Sequence, residues 1–551
     1  MRAGAGRVPR RLAASVVLAC LLLAVACTGG GGSSSPDTTA DSFQQGGELR
    51  LAAVDVQTFD PAAAVPTNQA EMITIDLLYD SVTVFPSGID DVDKAVASAG
   101  VPSTETTAVP DVAQSITPNA DATVWTVKLG ERTFSDGSPI RAADVKATYE
   151  RLAKKGSSSL AGVRLELING YQELASGAAA EMSGLQVVDE HTLQITLREP
   201  YMQLPELLAS PLYGIVPKAS ADRGDTAFVT PVGSGPYAYA DHNDVRTRLQ
   251  RSSATAGRNV GPDAIDLVGY STWDDAYQAF VNGDVDWSLV PAEQLDAATR
   301  AGGSDNFVFF SSELWFGFNL ADPTYGDARF RQAIVQAIDS NKVVADALPG
   351  RSPLRAIVPR EVPGYTDTAC ANLCEYAPDV ARAWLTEAFP DGTIPMVTLD
   401  GYDDPTQVAM LNSIQAQLAA VGIPSQVRTR PFADYRSFVT SGQQGVFSFG
   451  WVGMAPTQDV YLAPLFRSTS PDNVTGFKSA DIDAQIAAAR ANPNDQSRQQ
   501  AYTWIERQVL NQSVLVPIAQ LRTNQVVASR VHGWSTRLDG TFVVDDVWVT
   551  D

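Results

Sequence analysis

The chain has 551 residues, 44% hydrophobic and 19% charged, and its 63 acids against 40 Lys and Arg give a formal net charge of −23. That length supports about three domains, and a mean hydropathy of −0.07 excludes a protein built of many membrane spans. The acidic balance repels phosphate backbones and argues against a nucleic-acid partner, while three widely separated histidines, His191, His242 and His532, argue against a multi-histidine metal centre.

Residues 1–11 carry four arginines and no acid, and residues 12–26 form an uncharged, almost wholly apolar run. Such a run is too short for a comfortable bilayer crossing and has the pattern of a signal-peptide core, so residues 1–26 are predicted to be removed. The run ends Leu23-Ala24-Val25-Ala26-Cys27 and leads into TGGGGSSS, which resembles a bacterial lipobox cleaved before Cys27 with a lipid on its sulfur. Ordinary secretion with cleavage nearby is the alternative, and Cys20 is a rival site that lacks a polar linker after it. Residues 27–45 read as a lipidated cysteine and a flexible tether. They place the folded body on the extracytoplasmic face of the cell membrane.

Residues 48–54 alternate as a strand, and residues 69–79 form a largely buried helix. Residues 86–110 read as an exposed loop in which Asp90, Asp91 and Asp93 cluster without the regular spacing of a calcium loop. A strand at 124–129, a turn at 134–139, a helix at 142–152 and a hairpin over 186–197 with His191 at its tip come next. Two cysteines outside the leader, Cys370 and Cys374, are predicted to pair as a disulfide, since two thiols with no nearby histidine make a poor metal site. From residue 396 the order becomes strand 396–399, helix 406–421, strand 426–429, helix 433–440 and strand 445–451. This βαβαβ run predicts a parallel sheet with a ligand crevice beyond the carboxyl ends of its strands. Gly450, Trp451 and Gly453 lie at such an end, with Trp451 either a wall of the crevice or plain core.

Several motifs follow one another in a telling order. They are Pro110-Asp111-Val112-Ala113, Trp125-Thr126-Val127-Lys128-Leu129, Phe134-Ser135-Asp136-Gly137-Ser138-Pro139-Ile140 and Ala143-Asp144-Val145, then Pro231-Val232-Gly233-Ser234-Gly235-Pro236-Tyr237, Asn282-Gly283-Asp284-Val285-Asp286, and Phe318-Asn319 with residues 327–339. In these the chain resembles the peptide/oligopeptide/nickel family of extracellular solute-binding proteins (family 5), receptors of ABC importers. The resemblance implies an α/β, two-lobed periplasmic-binding-protein-like fold with an inserted subdomain and hinge-connected lobes. Lobe I would comprise 46–84, 186–312 and 513–551, the insertion 85–185, and lobe II 313–512, with crossings near 315–318 and 515–518. One departure is Arg141 at a helix N-cap position, where a side chain that accepts a hydrogen bond is usual.

The implied function is a lipid-anchored, monomeric binding component that captures a small solute or peptide between its lobes and hands it to permease subunits. It would need no cofactor, metal or catalytic residue. Neither a G-x-S-x-G nor an H-E-x-x-H pattern occurs. A surface signalling or adhesion protein that keeps the fold, or a secreted hydrolase, are the alternatives. The resemblance places ligand contacts on the strand ending at Gly450 and Trp451, on Asp55 and Gln57, and on Asn68; Arg430, with Arg428, either meets a ligand carboxylate or sits in a structural ion pair. Peptide-binding members carry a motif resembling G-W-x-[AG]-D whose aspartate meets the peptide's ammonium. Here Met454 occupies that place, and Asp459 either substitutes for it or bonds its own backbone turn. The expected ligand therefore lacks a free α-ammonium at this point or binds in another register.

Overall fold

The alternation at residues 48–54 becomes the strand Glu48–Val54, with Leu49 and Leu51 buried, and it pairs in parallel along its length with Ala264–Tyr270. The computed structural model describes residues 43–86, 106–155, 159–255, 258–302, 307–349 and 351–550. The leader, Cys20, Cys27 and the acidic run at Asp90, Asp91 and Asp93 lie outside the described residues.

One sheet of eleven strands runs through both lobes. From one edge its order is Ser425–Arg430, Val397–Tyr402, Val446–Val452, Phe307–Phe318, Leu515–Val527, Trp287–Leu289, Glu48–Val54, Ala264–Tyr270, Arg246–Arg251 and Tyr237–His242, with Arg351–Pro353 paired to Leu515–Val527. Phe307–Phe318 and Leu515–Val527, at 12 and 13 residues, serve both halves. Their later and earlier parts respectively belong to the half with Val446–Val452, where Trp315 pairs with Phe449 and Phe316 with Ser448. At the other end Trp287–Leu289 pairs with 525–527. The register between the two long strands shifts between Phe309 and Glu313, where Glu313 faces Gln520. A second shift falls between Leu314 and Trp315, so both irregularities border the segments 315–318 and 515–518; bulges bend strands and raise their twist.

Side chains alternate across this half. Leu314, Phe316 and Phe318 join a core with the helices Ala328–Ala337 and Pro405–Ala420, while Trp315, Phe447 and Trp451 join the opposite core with Tyr461, Tyr502 and Ile505. The βαβαβ run has the expected order, and its first strand is parallel to both others. Asp404 caps the first of its helices by accepting from the N–H groups of Thr406 and Gln407. Cys370 and Cys374 are bonded, with Cα atoms 5.6 Å apart. No described helix is long and apolar enough to cross a membrane.

A separate four-stranded sheet holds Ala113–Pro118, Val124–Leu129, Thr192–Thr196 and Leu185–Asp189. Trp125 lies opposite Ile195 and Val127 opposite Leu193, and all four are buried in one core, so the hairpin shares the sheet and core of the residues before 185. His191 sits at the hairpin tip, 4.0 Å from Glu131. The helix Ala142–Lys155 packs Val145, Tyr149 and Leu152 into that core. Its unusual Arg141 is accommodated because the backbone N–H of Arg141 donates to Asp144 at 2.8 Å, the returning half of a capping box.

Candidate functional site

The strand Val446–Val452 ends against the insertion. The Trp451 indole N–H donates to the Val460 carbonyl at 2.7 Å, its ring is covered by the Arg164 guanidinium at 4.7 Å, and its exposure is 8%. Trp451 is thus packed between the second lobe and the insertion. Only glycine fits at 453, because a Cβ would collide with the Tyr461 hydroxyl and ring; at Gly450 the neighbour is the Glu313 carbonyl, at 3.2 Å from a Cβ. Met454 is buried in the insertion's apolar core, with Tyr201, Leu204 and Leu207 in the same cluster. No carboxylate stands at its position.

Asp459 opens the helix Asp459–Phe466 and borders a cavity of 420 Å³, but both its oxygens are engaged. Arg490 donates to it twice, at 2.8 and 3.0 Å, and the Tyr502 hydroxyl donates at 2.6 Å. Burial by itself would raise this carboxyl, yet the Arg490 charge and the Tyr502 bond outweigh it and hold it below the usual range. Asp459 serves neither its own backbone nor an open cavity. Arg428 pairs with the buried Asp400, one bond being 2.9 Å, whereas Arg430 stacks on Phe438 at 3.9 Å with its buried Nε unpartnered.

On the first lobe, Asp55, Gln57 and Asn68 line a separate cavity of 610 Å³ that also touches Trp273. Asn68 caps the helix Gln69–Leu78, accepting from Glu71, while its amide donates to the Asp55 carbonyl at 2.8 Å. Asp55 adopts a left-handed φ of 59° and accepts from Gln57. Among the described cavities, none holds both this turn and residues 450–454.

A cavity of 810 Å³ opens between Thr106, Gln203 and Glu206 on the insertion side and Arg360, Gln458 and Tyr502 on the second lobe. Its walls are mostly hydroxyl, amide and charged groups. Gln203 Oε1, Thr457 Oγ1 and Arg360 Nε are buried there without protein partners, which suits a polar guest. Burial pushes the Glu206 carboxyl up to about 7. Sequence reading missed these groups apart from one signal: Pro456-Thr457-Gln458 directly follows the strand end that had been singled out.

Two lobes sharing a continuous sheet, with an inserted third unit, define the two-lobed periplasmic binding proteins. Residues 107–473 match the family described as bacterial extracellular solute-binding proteins, family 5 Middle, and the chain belongs to that family. It is 25% identical over 406 residues to the probable deoxycholate-binding periplasmic protein YgiS of Escherichia coli K12, covering 70% of this chain and 74% of that protein. It is also 25% identical over 455 residues to the glutathione-binding protein GsiB of Salmonella typhi, covering 79% and 83%. Among solved structures, the unliganded open form of the periplasmic murein tripeptide-binding protein MppA superposes with a TM-score of 0.75 at 20% identity, covering 92% of this chain and 98% of that one. The clavulanic acid biosynthesis oligopeptide binding protein 2 gives 0.79 at 21% identity, covering 93% and 96%.

Proposed function

We propose that this chain is the lipid-anchored solute-binding component of an ABC importer, which takes a polar, peptide-like solute between its lobes and delivers it to a membrane permease without chemical turnover. The observation that carries the reading is the 810 Å³ crevice cavity with unpartnered donors and acceptors in its wall. Relatives named for glutathione and murein tripeptide favour a peptide-like guest. Attachment through Cys27 rests on the Leu23–Cys27 run and the Gly/Ser tract after it; Cys27→Ser is expected to move the protein from the membrane fraction to the soluble one.

The guest carries no free α-ammonium at the position of Met454. That side chain is an apolar thioether in an apolar cluster, and the Asp459 carboxylate is already saturated. An unpaired ammonium buried there would cost several kcal/mol. Calorimetry on matched free-amine and N-acetylated peptides tests this: the acetylated form is expected to bind at least as tightly. A strong preference for the free amine that survives Asp459→Asn would refute it.

A further inference from the structure

Glu199 follows the last strand of the insertion's sheet, and its carboxylate meets two guanidinium groups of the second lobe. Arg467 binds it bidentately at 2.7 and 3.0 Å, and Arg490 donates to one of the same oxygens. Arg490 in turn holds Asp459, and its backbone carbonyl accepts from the Met202 N–H at 2.9 Å. Its guanidinium also lies 5.4 Å from the Tyr201 ring centroid. A second link runs beside this one, from Arg164 to Asp472 at 3.4 Å. The position of these bonds gives them a consequence beyond packing. Gln203, Gln458 and Tyr502 line the 810 Å³ cavity, while Glu199, Asp459 and Arg490 line the 420 Å³ one. Gln458 and Asp459 are consecutive yet border different cavities, and Tyr502 lines one while donating to a carboxylate of the other. The partition is about one side chain thick.

We propose that Glu199, Arg467, Arg490 and Asp459 form a clasp that divides the crevice between the insertion and the second lobe into two chambers and so limits the length of solute the larger chamber takes. The clasp is made wholly of protein groups, so its strength does not depend on which solute is bound. Charge-assisted and bidentate bonds give it defined geometry. Glu199 is a positioning residue in this scheme: it acts by fixing Arg490, the partition itself.

The size limit rests on the peptide-like reading above, and the test separates the two. N-acetylated, C-amidated Ser/Gln peptides of two to eight residues are titrated calorimetrically into the full chain, Glu199→Gln and Arg467→Gln, each first checked for folding by circular dichroism. The affinity ratio of longest to shortest peptide is expected to rise about tenfold in Glu199→Gln, the scale of a lost charged hydrogen bond. Arg467→Gln should shift it the same way but less, because Arg490 still holds Glu199, and it carries the test if Glu199→Gln does not fold. An unchanged ratio in both variants overturns the clasp. If no peptide binds any of the three proteins, the peptide-like reading fails, and small-angle scattering decides the clasp: a larger radius of gyration in the variants than in the parent supports it, and equal radii overturn it.

Discussion

Two groups of carboxylates withdrawn from water to different degrees are handled in opposite ways in this protein. At the clasp, the buried Asp459 and the half-buried Glu199 meet Arg490 and Arg467, and although burial pushes both carboxyls up, the guanidinium groups win and hold them below the ordinary range. At the register shift between the two long strands, Glu313 is 3% exposed and neither of its oxygens has a hydrogen-bond partner among the described residues. Glu506 accepts from the N–H groups of Ile357 and Val358 with one oxygen and leaves the other unpartnered. There burial prevails: Glu313 is raised well above its usual value and Glu506 to about 7. Depth alone thus does not decide ionisation; the nearest guanidinium does. The paired group fixes a partition, and the unpaired group can shed its charge.

The largest expected effect comes from unpairing the clasp. Asp459→Asn leaves Arg490 facing a neutral amide on its buried side, with Glu199 its remaining carboxylate, and is expected to cost about 3 kcal/mol of stability in urea unfolding at pH 7. A loss near zero would put the two carboxylate groups on the same footing. Next comes Glu506→Gln, which keeps the acceptor for Ile357 and Val358 while removing the charge. A folded pKa of about 7 against an ordinary 4.5 means stability is greatest below the ordinary value and falls as pH rises through the folded one. The variant is therefore expected to gain about 2 kcal/mol over the parent at pH 8 and nothing near pH 4. A gain that did not depend on pH would show that charge is not the cause. Glu199→Gln should behave with the opposite sign. The folded carboxyl is depressed, so its contribution is present above the ordinary carboxylate value and lost as pH falls through the folded one; the deficit of the variant should shrink in acid. The smallest effect is expected for Arg164→Gln, which loses the cover over Trp451 and a 3.4 Å ion pair, about 0.5–1 kcal/mol by thermal unfolding.

Much of the fold was legible in local pattern. Local alternation marked Glu48–Val54, and helical periodicity between short apolar runs marked the βαβαβ segment, because those signals act within a few residues. Nothing in a hairpin's own sequence says which sheet it joins, and Leu193 and Ile195 would be apolar in either; only the structure pairs them with Val127 and Trp125. The candidate site was legible only at its entrance. Gly450-Trp451 announced a strand end, whereas the helix cap made by Asn68 and the ion pair made by Asp459 depend on partners the sequence does not place beside them.

What the sequence by itself determined is therefore the set of elements, the family and the loss of an acid at position 454, all written in short-range order or in one residue. The tertiary structure decided where the long strands shift register, which carboxylates meet a guanidinium and how the crevice is divided. Glu199 and Arg490 are 291 residues apart in the chain, and only folding brings them into one bond. Pairing and desolvation depend on neighbours in space, and no spacing in the sequence encodes those distances.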